Sequence, residues 1–505
     1  MSNPKASAFQ QTAVTLRGLL SILCIGFIVM DMFIIFSRMF YPYQLEWMEG
    51  ASLIQVKRLM AGQALYTPPS INYVPLIYPP LFFYASAGIA KLIGFGFGAL
   101  RFVSFLSSAI CAFIIYAIIA ETTNSKFAGL LGAGCFVSTF LLAGQWFDIA
   151  RTDMFAAVLS MLAIYLAREK DDHKNVKILL SGLLFALAFL TRQGALLVGL
   201  AAILYYSIFN WRRASWLALS FGLSFTILYT IFWFNSTGWI SFYLFTIPSA
   251  HVFNFKPGHI ISVLVSQFSS IPLFVIAAII PMIMTPRKIF SDKAYRYYYA
   301  MAGSLIVTGV IGRLNAFSGP NVYVPSYLGV ALLVGLEAGW LMETVQPANN
   351  KSLFVILEWG LLSIQFASLI PAYIQTKIIP TVQDRSAGNA LVAKIKSYKG
   401  DVLLFENNYL ALYAGKTPYY NEMPMSEISG EGNMYSMPQW SLLQARINRL
   451  IHAPTTSAIF VDFGKSIKHM VAGCKQQPIL YPDKIVFTPV AGPPKARPNL
   501  IITCR

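Results

Sequence analysis

Long apolar runs broken by short polar and basic stretches occupy roughly the first three-quarters of the chain. A helix needs about 20 apolar residues to cross hydrocarbon. Eleven segments meet or approach that length: 17–39, 102–120, 127–145, 154–168, 177–191, 194–210, 214–234, 259–284, 297–313, 323–343 and 352–373. A further apolar stretch, 79–94, opens on Pro79-Pro80 and is soon broken by Gly94, Gly96 and Gly98. It predicts a short helix lying on the membrane face rather than a crossing. Beyond 373 the pattern changes. Asp401-Val402-Leu403-Leu404-Phe405 and Ala458-Ile459-Phe460-Val461-Asp462 predict short buried strands, and Leu442 to Ile451 a helix. The pattern predicts an all-α polytopic membrane region over 1–373 and a small α/β domain over 374–505.

Composition agrees. The 505 residues are 56% hydrophobic and 12% charged, with mean hydropathy +0.59, far more apolar than a soluble protein of this length requires. The net charge of +17 then reads as a topology signal and not as a nucleic-acid footprint. Lys5 and Arg17, Lys126, the group Arg168, Lys170, Lys174 and Lys177, the pair Arg212 and Arg213, and the group Arg287, Lys288, Lys293 and Arg296 all fall on one side if 79–94 does not cross. The positive-inside rule makes that side cytoplasmic. The opposite face holds the first loop (40–100), the loop 145–153 and the tail. Residues 1–15 are polar, and the apolar run after Arg17 is too long for the core of a cleaved leader, so it predicts a first membrane helix. Cys24, Cys111 and Cys135 lie in apolar segments as buried hydrophobes. Cys474 and Cys504 lie in the tail and can pair in an oxidising compartment.

Candidate chemistry gathers on the outer face. Glu46-Trp47-Met48-Glu49-Gly50 follows the first apolar run. The residues after it predict an amphipathic interfacial helix, with Leu53, Ile54, Val56 and Met60 on one face and Gln55, Lys57 and Arg58 on the other. Glu49 sits in its first turn, where the helix dipole favours a carboxylate. In the loop 145–153, Asp148 and Asp153 flank Arg151; this reads either as a structural Arg–Asp pair or as Asp153 orienting a reactant with Arg151 near an anionic head group. Arg192, at the end of a span, either snorkels or offers its planar fork to phosphate. The aromatic loop 235–258 carries His251 and Lys256 and suits a lipid chain or a sugar. Arg313, Asn315 and Asn321 form another polar group. Convergence of separate loops on one face outweighs any single residue.

In order, these features resemble the GT-C membrane glycosyltransferases, in the branch of the protein O-mannosyltransferases and the aminoarabinose transferase of lipid A. The resemblance rests on the acidic residue after the first span, the basic interfacial helix leading to Gly62-Gln63-Ala64-Leu65-Tyr66, the Tyr78-Pro79-Pro80-Leu81 step, Arg101, Ala150-Arg151-Thr152-Asp153, and the run Gly182 to Arg192. It covers about 17–240. It implies transfer of a sugar from a polyprenyl-phosphate carrier to an acceptor hydroxyl, usually with inversion, at the outer face of the cytoplasmic membrane. The acceptor is a glycan, lipid or protein. Glu49 takes the place of the catalytic carboxylate, with Glu46 in reserve, and Asp153 matches the second acidic position. Arg192 faces the donor phosphate, and Arg58, Tyr78, Arg151, His251, Lys256, Arg313 and Asn321 complete the substrate-binding candidates. Tyr78 replaces a phosphate-contacting lysine of the aminoarabinose transferase, which leaves the phosphate to Arg192, Lys256 or Arg313.

The chemistry is coherent without the resemblance: a carboxylate activates a hydroxyl and a guanidinium stabilises the departing phosphate. The pairs Glu46/Glu49 and Asp148/Asp153 can hold a divalent ion, although nothing in the sequence demands one. A flippase for lipid-linked saccharides would place polar groups at mid-membrane and carry an internal repeat. An O-antigen ligase or polymerase would place its key loop late, whereas the acidic loop here is the first.

Overall fold

The structure, a computed structural model, describes residues 4–169, 174–284, 291–316, 318–344, 352–431, 433–462, 470–493 and 496–504. Lys170, Arg287 and Lys288 of the basic loops lie outside these residues. The apolar runs form helices: α1 (Pro4–Arg38), α2 (Glu49–Met60), α3 (Leu81–Ile93), α4 (Phe97–Thr123), α5 (Lys126–Val137), α6 (Asp153–Ala167), α7 (Lys174–Phe189), α8 (Leu196–Phe209) and α9 (Trp211–Asn235), followed by Pro257–Phe268, Pro272–Met284, Lys293–Arg313, Val324–Thr344 and Ser352–Gln375. Gln11–Arg38, Phe97–Thr123, Trp211–Asn235, Pro320–Met342 and Leu353–Gln375 are long and apolar enough to cross a membrane unaided.

Two segments depart from the expected spans. The run 259–284 is not one straight helix: Pro257–Phe268 and Pro272–Ile279 meet at 100°. Pro272 has no N–H to continue the ladder and drives the preceding residue out of the helical region. The run 127–145 is helical only to Val137. Ser138 and Thr139 then donate to the carbonyls of Cys135 and Phe136 at 2.9 and 2.6 Å, and the chain turns through 138–144, local hydroxyl bonds competing with the helix. Close packing of α1, α4, α5 and Val324–Thr344 depends on small residues. A methyl group on Gly132 or Gly335 would overlap Ile119, and one on Gly134 would overlap Cys24.

The bundle has two chemically distinct ends. At one, Arg168 pairs with Glu121 at 2.9 Å, Arg213 donates to the carbonyl of Ala167 at 2.8 Å, and Arg296 reaches the Tyr205 hydroxyl at 3.4 Å. At the other lie the first loop, α2, α3, the loop 144–153 and the tail.

The tail forms a four-stranded sheet of order β1-β2-β4-β3, from Asp401–Leu403, Thr456–Val461, Lys475–Pro478 and Leu500–Thr503. β1 runs parallel to β2, and β4 is antiparallel to both its neighbours. The expected tail helix spans Trp440–Ile451. Cys474 and Cys504 form a disulfide. The tail's apolar residues continue into those of the first loop: Tyr43, Met48, Leu53, Phe97, Leu403, Tyr409 and Ile459 share one buried cluster. This contact buries more of α2 than its apolar face alone, although Lys57 stays exposed as expected. Glu49 through Val56 are all buried, including Gln55, which accepts from the Tyr73 hydroxyl at 2.9 Å. Gly50 is required there, because any β-carbon would overlap the Tyr409 ring.

Candidate active site

Glu49 and Arg101 form the structural keystone of the end that carries the tail. Both side chains are completely buried. Arg101 donates to both carboxylate oxygens, Nε to Oε1 at 3.0 Å and Nη2 to Oε2 at 2.7 Å. The backbone amides of Leu45 and Ala150 donate to Oε2 and Oε1 at 2.6 and 2.8 Å. Arg101 also donates to the carbonyls of Tyr41 and Tyr43, both at 2.7 Å. One ion pair thereby ties α1's exit, α2, α4 and the loop 144–153 together. With every donor and acceptor matched, the buried pair is held rigidly.

Three residues earlier, Glu46 is equally buried but incompletely matched. Its Oε2 accepts from the Met48 amide at 3.1 Å and from Arg151 Nη1 at 3.2 Å. Its Oε1 has no partner, and neither has Nε of Arg151. A buried acceptor and a buried donor left open in one ion pair call for a further group. Burial pushes the Glu46 carboxyl up to about 7; Arg151 opposes this, and the nearby Glu49 adds to it. Arg151 extends the chain by donating to the Tyr78 hydroxyl at 2.7 Å. The Arg–Asp pair expected within 148–153 is not formed around Arg151. Asp148 instead binds Arg38 of α1, at 2.5 Å from Nη2 and 2.7 Å from Nε.

Asp153 opens α6 beside this group. Its Oδ2 accepts from the Trp146 indole at 3.0 Å, its Oδ1 from Asn321 Nδ2 at 2.7 Å, and Arg192 is in direct ion-pair contact. Asp153, Arg192 and Asn321 sit at the polar end of a cleft between α6, α8 and the helices Lys293–Arg313 and Val324–Thr344. Its walls are apolar, with Ala157, Val198, Leu305, Val322, Val324 and Leu328.

The other expected residues lie apart. Arg58 is engaged in its own loop, donating to the Ala64 carbonyl at 2.7 Å and lying over the Tyr73 ring. His251 bridges to the tail through Glu427 at 2.9 Å. Lys256 is exposed. Arg313 borders the cleft at one remove, held by the Tyr323 hydroxyl at 3.2 Å and the Ser318 carbonyl at 2.9 Å. Each of the four acids considered for a divalent ion faces a guanidinium: Glu46 with Arg151, Glu49 with Arg101, Asp148 with Arg38 and Asp153 with Arg192. Carboxylates already neutralised in this way do not suit a divalent cation. Polar groups are not confined to this end either, because Asp31, Glu337 and Glu358 are buried within helices.

Trp146 and Arg38 escaped the sequence reading. Trp146 is nearly buried, faces Arg151 at 5.7 Å from the guanidinium carbon, and links the Glu46 and Asp153 groups. An indole two residues before Asp148, in a loop between apolar runs, was the available signal. Against Trp146 and Glu46 lies the tail turn at Gly492, where φ is +58° and a side chain would overlap the indole. Ala491 N donates to the Leu45 carbonyl at 2.8 Å.

This architecture, with buried carboxylates in the loop after α1, an apolar cleft between helices and a tail packed against that loop, resembles the GT-C membrane glycosyltransferases of the mannosyltransferase and ArnT branch. Residues 78–239 match the family described as dolichyl-phosphate-mannose-protein mannosyltransferase. Two solved structures share the fold: ArnT from Cupriavidus metallidurans in the apo state, and the same protein bound to undecaprenyl phosphate. Each has TM-score 0.60 and 11% identity, covering 95% of this chain and 97% of its own. At that identity the likeness is one of fold. No curated protein matches the sequence.

Proposed function

We propose that the protein is a glycosyltransferase that moves a sugar from a polyprenyl-phosphate carrier to an acceptor hydroxyl, with inversion at the anomeric carbon. The observation that carries this reading is the cleft, whose apolar walls end at Arg192, Asp153 and Asn321. A prenyl chain matches the walls and a phosphate matches the guanidinium. The relative in the comparison that binds undecaprenyl phosphate points the same way.

Glu46 is the general base in this reading, and Glu49 the scaffold that positions its loop. The acceptor proton passes to the open Oε1 of Glu46 while the acceptor oxygen bonds to the anomeric carbon. The carbon–phosphate oxygen bond breaks, and its electron pair leaves with the lipid phosphate. Arg192 and Arg151 stabilise the charge that develops there. A base poised near neutral pH balances ionisation against proton affinity.

The site and tail face the exterior or periplasm. Two observations support this: the basic loop residues Arg168, Arg213 and Arg296 gather at the opposite end, and the tail carries a disulfide. Eleven crossings, with the bent pair counted as one, would put the amino terminus and the tail on opposite sides.

The test is transfer from a panel of radiolabelled polyprenyl-phosphate sugars by the protein in nanodiscs supplied with envelope extract. Transfer from one donor by the wild type establishes the class and names the sugar. Folded protein that transfers from none, yet moves a labelled lipid-linked saccharide between leaflets, would establish the transporter reading instead. Among the described residues, the buried Asp31, Glu337 and Glu358 give that alternative its foothold.

A further inference from the structure

The guanidinium at the head of the cleft, Arg192, and its neighbour Arg151 are both occupied before any ligand arrives. Arg151 is paired with Glu46 and Arg192 with Asp153, so an anion approaching this patch meets no net positive charge. The two pairs differ in access. Arg151 and Glu46 are the more buried pair, at 4% and 0% side-chain exposure, whereas Arg192 keeps 24% and lines the cleft together with Asp153. Asp153 does not depend on Arg192 for its position. It is the first residue of α6, where the helix dipole favours a carboxylate. The Trp146 indole and the Asn321 amide would still hold one oxygen each if Arg192 turned away.

We propose that Asp153 is an internal stand-in for the donor phosphate, holding Arg192 in the free protein and surrendering it when a lipid phosphate enters the cleft. The proposal rests on the glycosyltransferase reading and extends it to selectivity. A phosphate offers Arg192 the same two-pronged acceptor geometry that a carboxylate does, so the exchange swaps like for like. The swap is unfavourable for a bare anion, which must displace Asp153 and then lie beside its charge. A polyprenyl phosphate offsets this by burying its chain against Val198, Leu305, Val322, Val324 and Leu328. Asp153 thereby sets a threshold that a lipid-borne phosphate can meet through its chain and a free phosphate cannot.

The test measures binding of a polyprenyl phosphate, and separately of inorganic phosphate, to the full chain in detergent. Wild type, Asp153→Asn, Arg192→Gln and the double variant are compared. The expected result inverts the usual effect of a site mutation: Asp153→Asn binds the lipid phosphate about tenfold more tightly, as loss of a like charge worth one decade of affinity implies. Inorganic phosphate, which wild type binds far more weakly, gains at least as large a factor. In the Arg192→Gln background the same change brings a much smaller gain, because it removes only a like charge and frees no contested partner. Asp153→Ser repeats the test if the asparagine variant does not fold. Unchanged or weaker lipid phosphate binding by a folded Asp153 variant, or an equal gain without Arg192, would overturn the exchange. Folded wild type that binds no polyprenyl phosphate would overturn the functional reading itself.

Discussion

Glu46 and Glu49 stand three residues apart, are equally buried, and each faces an arginine, yet their hydrogen bonding differs, and the proposed reading gives them opposite tasks. Glu49 receives two hydrogen bonds on each oxygen and has nothing left to offer a reactant. Glu46 receives two on one oxygen and none on the other. A fully matched buried carboxylate is fixed as an ion and serves as a strut. A half-matched one keeps a site for a proton. Burial and an arginine partner do not by themselves mark a catalytic acid; the unfilled lone pair separates the two.

The largest expected effect comes from breaking the strut. Glu49→Ala strands the Arg101 guanidinium in a buried site and costs about 3–5 kcal/mol, read as loss of folded protein or a steep fall in the thermal unfolding temperature. Removing both partners should cost less than the sum of the two single changes. Next is Glu46→Gln, which keeps the shape of the side chain. Transfer falls by about 10²–10⁴-fold, the range for loss of a general base, while thermal unfolding falls less than for Glu49→Ala, because the glutamine oxygen still accepts from Arg151.

The pH profile sharpens the contrast. As the proposed base Glu46 would act only when ionised, and burial holds its carboxyl up to about 7, so transfer should climb through about pH 7 and level off above it. The folded value lies above the unfolded one. This group's contribution to stability is therefore complete below the ordinary carboxylate range and fades as pH rises through about 7. Glu46→Gln should remove that part of the pH dependence of unfolding. The smallest effect is that of Trp146→Phe, which deletes one donor to Asp153, costs about 1 kcal/mol and slows transfer by less than the loss of Glu46 does.

Much of the frame was legible in local pattern. Apolar runs mark the helices, the basic breaks mark one end of the bundle, and strand-like runs mark the tail sheet. The misreadings arise where distant segments meet. The face of α2 carrying Gln55 reads as solvent-facing until Tyr73 and the tail cover it. The ion pairs that sort the acids into struts and site join residues 52, 105 and 110 positions apart, and no local spacing encodes them. Glu49 read as the reactive acid because its place in the first turn of α2 is visible in sequence, whereas the Arg101 fork and the Ala150 amide that saturate it are not. Asp153, Arg192 and Asn321 were each recognisable as polar groups at the ends of spans. Their meeting at one cleft follows from how α6, α8 and Val324–Thr344 pack.

The comparison of the two glutamates is tested most directly by single-turnover transfer from a polyprenyl-phosphate sugar, measured for wild type, Glu46→Gln and Glu49→Gln and normalised to folded protein. The account predicts that Glu46→Gln is folded and nearly inactive, and that the folded fraction of Glu49→Gln, however small, still transfers. Wild-type rates from Glu46→Gln, or a fully folded Glu49→Gln that transfers nothing, would contradict it and return the role of base to Glu49.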